Sequence, residues 1–115
     1  MMNQSAEMDY GTTMYCLEVL ESVQTDSRTS AWYWGEVRGK AGVARATAAL
    51  CRKDLICAAV GPPPFRLTSK GEEFLRTHQA SWEAFLAKTD QSATVAHFTE
   101  ALTQMPDVHE AGDSQ

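Results

Sequence analysis

Residues 66–78, RLTSKGEEFLRTH, join a strand-like run to a charged helical run through Thr-Ser-Lys-Gly. Thr68 or Ser69 can cap the helix, and Ser69 with Glu72 has the spacing of a capping box, in which side chains bind free backbone N–H groups. The two acidic residues of the first turn favour the positive end of the helix dipole. The stretch therefore predicts a short strand over 65–67 that leads directly into a capped helix.

A second strand-like run lies immediately upstream. Residues 56–60, ICAAV, are compatible with a β-strand. The following segment 61–64, GPPP, stops that strand because prolines donate no backbone hydrogen bonds to a sheet. The two runs are too short and too close in sequence for anything but a small β-hairpin that packs on helices.

Two helices are predicted before the glycine break at 38–42. The first follows a cap at Thr12 or Thr13, and the second follows a cap at Thr29 or Ser30 and runs through AWYWGEV. The three consecutive aromatic residues of the second helix cannot share one face, because successive helical residues point in different directions. At least one of them should lie at the edge of the core or on a contact surface.

The glycine break RGKAG precedes a third helix, VARATAALCRKDL, which is built from strong helix formers. Its apolar stripe is formed by Val43, Ala46 or Thr47, and Leu50. The residues predicted to point away from that stripe are Arg45, Ala48, Ala49 and Arg52. After the capped helix the helical spacing continues through Phe85, and a last helix ends at Pro106.

This order of elements, together with ATAALCRKDLI (46–56) and FRLTSKGEEFL (65–75), resembles the winged helix-turn-helix superfamily, most closely the bacterial MarR, PadR and ArsR type regulators. In those families a recognition helix ends in Leu, and a Leu-Ile pair enters the first strand of the wing. The chain then returns through Leu-Thr-x-x-Gly into a helix. The residues that match are Leu50, Leu55, Ile56, Leu67, Thr68 and Gly71.

The resemblance implies a mainly α-helical fold with a small β-hairpin wing, of the α+β class. The winged helix-turn-helix would occupy 12–78, and two C-terminal helices over 79–106 would form an extension that can serve dimerisation. We expect a flexible N-terminus over 1–11 and a disordered acidic tail over 107–115.

The charged residues are unevenly distributed along the chain. Nine basic and four acidic residues lie between Arg28 and Arg76, whereas the flanks contain the other acidic residues and only one lysine, and the net charge is −5. A basic middle can be a solvated surface, or it can face an anionic partner.

Under the resemblance, the basic middle is expected to bind double-stranded DNA. The third helix would enter the major groove with Arg45 and Thr47 toward the bases, since Arg pairs well with guanine edges. Phosphates would be held by Arg38, Lys40, Arg52, Arg66 and Lys70. Regulators of this type commonly work as homodimers, and the apolar residues expected in that interface are Trp82, Phe85, Val95, Phe98 and Leu102.

No catalytic or metal-binding motif accompanies this arrangement. His78, His97 and His109 are far apart in sequence, and no glycine-rich phosphate loop, HExxH or Gly-x-Ser-x-Gly occurs. The spacing of the three cysteines matches no zinc pattern. Cys51 and Cys57 lie where a regulator could sense oxidants, but cysteine is among the most buried residue types, which favours a role in the core. We therefore expect a protein that is not an enzyme and that binds no metal or cofactor.

The sequence contains no apolar run of the roughly 18 residues that a membrane span needs. Its first residues lack a basic region followed by an apolar one, so no secretory signal is predicted. These features favour a cytoplasmic protein that makes no membrane contact.

Two functions are compatible with the sequence. The first is a small DNA-binding transcriptional regulator of a bacterium or phage. The second is a protein-interaction module on the same fold, which would bind a polymerase, a nuclease or another regulator. The overall acidity, the alanine-rich third helix, the proline tip of the hairpin and the consecutive aromatic residues favour the second function.

Overall fold

A computed structural model describes residues 8–24, 41–60 and 65–108 of the chain. Over these residues it contains five helices and two strands, numbered here in chain order. They are α1 (Tyr10–Gln24), α2 (Ala41–Arg52), β1 (Ile56–Ala58), β2 (Phe65–Leu67), α3 (Ser69–Thr77), α4 (Gln79–Leu86) and α5 (Gln91–Gln104). The fold is mainly helical with a small antiparallel sheet, which confirms the predicted α+β class.

Several predictions concern residues outside this described part. They are the helix through AWYWGEV, the proline tip at 61–64, the phosphate contacts of Arg38 and Lys40, and the tail beyond Val108. They stay predictions.

The two strands form the predicted hairpin. They pair antiparallel with Ile56 opposite Leu67, Cys57 opposite Arg66 and Ala58 opposite Phe65. The backbone N–H of Thr68 then donates to the carbonyl oxygen of Leu55. The start of α3 is thereby attached to the turn that leaves α2.

The capped helix begins as predicted, but its cap differs from the expected capping box. Thr68 is the N-cap, and its hydroxyl oxygen accepts the N–H of Gly71 at 2.9 Å. The residue three positions after the cap is therefore Gly71 and not Glu72, so no acidic side chain completes the box. The Thr68 hydroxyl donates in turn to the carbonyl oxygen of Asp54, which lies in the turn after α2.

Helix α1 begins earlier than predicted. Asp9 caps it, because a carboxylate oxygen of Asp9 accepts the N–H of Thr12 at 2.8 Å and the Asp9 carbonyl accepts the N–H of Thr13. Neither Thr12 nor Thr13 is the cap, and Met8 is buried. The folded part of the chain thus extends at least to Met8, into the segment that was expected to be flexible.

The predicted helix through Phe85 is divided at His78. This residue has φ −109° and ψ 36°, outside the helical region, and it separates α3 from α4. Backbone hydrogen bonds reach across it, because the His78 N–H donates to Phe74 and the Trp82 N–H donates to His78. The apolar spacing is the same for a continuous helix and for this bent pair, so the sequence pattern does not distinguish them.

One core joins all the helices. Helix α1 packs on α2 and α5, and α5 packs on α4. The apolar side chains buried in this core are Met8, Cys16, Leu17, Val19, Leu20, Val43, Ala46, Ala49, Leu50, Leu55, Ile56, Phe74, Leu75, Trp82, Phe85, Val95, Phe98 and Leu102. Ala49 was expected to point away from the core, and that prediction is wrong, because it extends the buried stripe beside Leu50.

The five residues expected in a dimer interface all belong to this core. Trp82, Phe85, Val95, Phe98 and Leu102 are buried within the single chain. The α4–α5 pair folds back on α1, so the chain itself covers the apolar surface that was assigned to a partner. A dimer would have to use other side chains.

Among the described helices, none is long and apolar enough to cross a membrane.

Candidate nucleic-acid interface

The solvent face of α2 is the first part of the candidate site. Val43, Ala46 and Leu50 are spaced to lie on one side of the helix and are buried. Arg45 lies on the other side and is exposed, together with Ala44 and Ala48. The helix therefore presents one long cation on a surface made mainly of small side chains.

Arg45 lies in the electrostatic field of the α1 cap. The hydrogen bond from the Thr12 backbone lowers the pKa of Asp9, and the Thr12 side chain and Arg45 lower it further. The Asp9 carboxylate is fully exposed to solvent, so its attraction for the guanidinium is screened.

Thr47 is placed less favourably for reading a base than the sequence suggested. Its hydroxyl donates to the carbonyl oxygen of Ala44 on the preceding turn, at 3.0 Å. In that conformation the hydroxyl can still accept a hydrogen bond, but its donor is used within the helix.

Arg52, the last residue of α2, and Lys53, which follows it, contact the segment after α5. The Arg52 Nε atom is 3.4 Å from the Asp107 carboxylate, and the Lys53 Nζ atom is 3.0 Å from its other oxygen. Lys53 also donates to the carbonyl oxygen of Met105 at 2.9 Å, and the Val108 N–H donates to the Arg52 carbonyl at 2.7 Å. Asp107 and Val108 are therefore docked on α2, which differs from the disordered tail expected from residue 107.

We call this set of contacts from Arg52 and Lys53 to Met105, Asp107 and Val108 the C-terminal clasp. Lys53 is only 8% exposed, so it serves the clasp and is not presented to a ligand. Sequence reasoning named Arg52 as a phosphate contact and missed its partner. The opposite charges of Arg52 and Lys53 and of Asp107 were the available signal, but the paired residues are more than fifty positions apart in the sequence.

The remaining predicted cations lie on the hairpin and on α3. Arg66 is exposed on β2, opposite Cys57, and Lys70 is half-buried in the first turn of α3. Arg76 is also exposed, in the last turn of α3, and was not among the predicted contacts. Arg66 and Lys70 flank the Thr68 cap, at the end of the hairpin and at the start of α3.

Cys16 and Cys51 are not activated thiols. Burial raises the pKa of Cys16 to about 12. Burial also raises the pKa of Cys51, and the neighbouring Cys57 thiol adds to the shift. Arg52 opposes that shift without reversing it, so the Cys51 thiol is protonated at neutral pH and is a poor nucleophile. Within the described ranges, no group of three histidine, cysteine, aspartate or glutamate side chains is arranged to hold a metal ion.

Comparison with known proteins gives no further assignment: no family model matches the sequence, and no curated protein or solved structure is significantly similar to it.

Proposed function

We propose that the chain is a small DNA-binding regulator whose α2, hairpin and α3 form a winged helix-turn-helix. The observation that carries the proposal is the hydrogen-bonded junction between these elements, in which the Leu55 carbonyl accepts the Thr68 N–H and the Thr68 hydroxyl accepts the Gly71 N–H. This junction fixes a helix with an exposed Arg45 relative to a hairpin with an exposed Arg66. A recognition helix and a wing need such a fixed relation to reach one duplex.

In this proposal α2 enters the major groove. Arg45 donates to the acceptor atoms of a guanine, and the exposed alanines contact thymine methyl groups. Arg66 and Lys70 hold phosphates from the wing and from the start of α3. Arg38 and Lys40, which precede α2, hold phosphates beside its N-terminus. Arg52 can join them only by leaving the C-terminal clasp.

A second candidate function is a protein-interaction module, and the C-terminal clasp favours it. The clasp occupies two cations of the basic middle, and the whole chain has a net charge of −5. The solvent face of α2 then offers small alanine side chains, which permit close approach of another protein surface.

A salt titration separates the two functions. Fluorescence anisotropy with a labelled duplex should show affinity that falls steeply with salt, because phosphate neutralisation releases counterions. Binding to a protein through small apolar side chains should respond little to salt. Selection of bound genomic fragments by the purified protein would identify a preferred site, and a palindrome would indicate a dimer.

The prediction for the base contact is that Arg45→Ala removes sequence preference. The loss should be about 1–3 kcal/mol at the selected site, since a bidentate pair with guanine is lost. Lys88→Ala is the matched control, because Lys88 is an exposed cation in the turn after α4, over the Phe85 ring. The major-groove proposal fails if both variants retain the affinity and preference of the parent.

A further inference from the structure

A second cluster of polar side chains lies away from the basic surface, in a groove between α3 and α5. The groove has a volume of about 350 Å³. Its lining residues are Phe74, His78, His97, Glu100, Ala101, Gln104 and Met105. The two histidines come from different elements, because His78 is the bend between α3 and α4 and His97 lies on α5.

The two imidazole rings are in direct contact. The Nδ1 atom of His78 lies 3.0 Å from the Nε2 atom of His97, which is a hydrogen-bond distance. The rings are nearly perpendicular, at 68°, with centroids 5.0 Å apart. Phe74 and Phe98 pack against the same pair, at 4.8 Å from His78 and 5.3 Å from His97.

A contact between these two nitrogens needs one donor and one acceptor. A neutral pair satisfies this with a proton on either nitrogen, and a pair with one further proton keeps it as a charge-assisted hydrogen bond. When both rings are fully protonated, both nitrogens carry hydrogen and the two positive charges face each other. The contact is then lost.

The surroundings resist the charged form of His78. Partial burial lowers its pKa from the ordinary 6.5, and the nearby His97 lowers it further. The groups in the groove that titrate are His78 from the α3–α4 bend and His97 and Glu100 from α5, and the other lining residues are neutral.

We propose that the His78–His97 contact is a proton-sensitive switch, which holds the α3–α4 bend against α5 and releases it when both rings are protonated. The contact holds the bend itself, because His78 is the residue whose backbone leaves the helical region. Protonation would therefore open the groove beside Phe74 and Phe98. This inference does not rest on the proposed DNA binding, although Met105 lines the groove and its carbonyl oxygen also accepts a hydrogen bond from Lys53 in the C-terminal clasp.

The direct test is a histidine NMR titration of the purified protein in the presence of a chelator. His109→Gln serves as the parent, so that only two imidazole signals remain. We expect two coupled steps, with the lower midpoint clearly below 6.5, and amide shifts at Thr77 and Gln79 that follow the lower step. Independent titration of both rings near 6.5, without amide shifts at the bend, would overturn the proposal.

The matched variant is His97→Gln, whose amide can still donate or accept near the same position but does not titrate. In this variant the midpoint of His78 should rise and the pH-dependent shifts at the bend should disappear. The chain should remain folded, because His97 is exposed.

Unfolding midpoints in urea give the second measurement. The parent should lose stability as the pH falls through 6.5, because the unfolded chain binds the proton more readily, and His97→Gln should lose less. An equal loss in both proteins would also contradict the switch.

Discussion

At the residue scale, Gly71 has the clearest physical reason for its identity. A Cβ atom at this position would overlap the carbonyl oxygen of Leu55, which is also the acceptor of the Thr68 N–H. Any side chain would therefore push α3 away from the turn after α2. The glycine in Leu-Thr-x-x-Gly is required by this close approach of two backbones, and not by a turn or a positive φ.

We predict that Gly71→Ala destabilises the protein by about 1–3 kcal/mol, the usual cost of forcing an atom into a packed site. Gly11→Ala is the matched control, because its Cβ would lie at an ordinary 3.8 Å from the Asp9 carboxylate within α1. Alanine is the better helix former, so this control should be neutral or slightly stabilising. Urea denaturation of the two variants measures both effects, and equal stability would contradict the account of Gly71.

At the element scale, the parts that were predictable from sequence are those fixed by neighbouring residues. The strand at 65–67 and the helix after Thr68 depend on a few adjacent side chains, and both were predicted. The bend at His78 leaves the apolar spacing of a continuous helix unchanged, so the pattern of neighbouring residues does not indicate it. The attachment of Asp107 to α2 depends on residues that are distant in the chain. For the same reason, Arg52 could be named as a cation of the candidate site, but its partner could not.

The C-terminal clasp gives a prediction at this scale. Asp107→Asn removes the carboxylate charge that faces Arg52 and Lys53, so the positive charge at the end of α2 is less compensated. Non-specific DNA affinity should rise by more than in the control, and a slope of log affinity against log salt that steepens by about 0.9 would indicate one more phosphate contact. Asp113→Asn removes the same charge from the tail and is the control. A change of the same size in both variants would show that only the net charge matters.

At the scale of the whole molecule, the question is whether the apolar residues of α4 and α5 are buried within one chain or between two chains. Their spacing indicated a buried face, but a spacing does not tell whether the covering surface belongs to the same chain or to a partner. In the described part of the chain, the aromatic contacts show that the covering surface belongs to the same chain. Trp82 stacks on Phe85 at 5.5 Å and meets Phe98 edge-on at 6.4 Å, within one chain. The Thr99 hydroxyl donates to Thr13, which links α5 to α1.

Leu102→Ala should therefore destabilise the chain without changing its association state. Leu102 is fully buried, and deleting a buried leucine side chain costs about 2–5 kcal/mol through lost contacts and the cavity that remains. Leu86→Ala is the matched control, because Leu86 is 42% exposed at the end of α4 and its loss should cost much less stability.

Urea denaturation measures the stabilities, and light scattering at micromolar concentration gives the mass of each folded protein against the 12.7 kDa of one chain. If Leu102→Ala converted a dimer into a stable monomer, Leu102 would have to lie between subunits, and the single-chain core described here would be wrong. If the parent is a dimer and both variants remain dimers, the interface is formed by side chains outside this core.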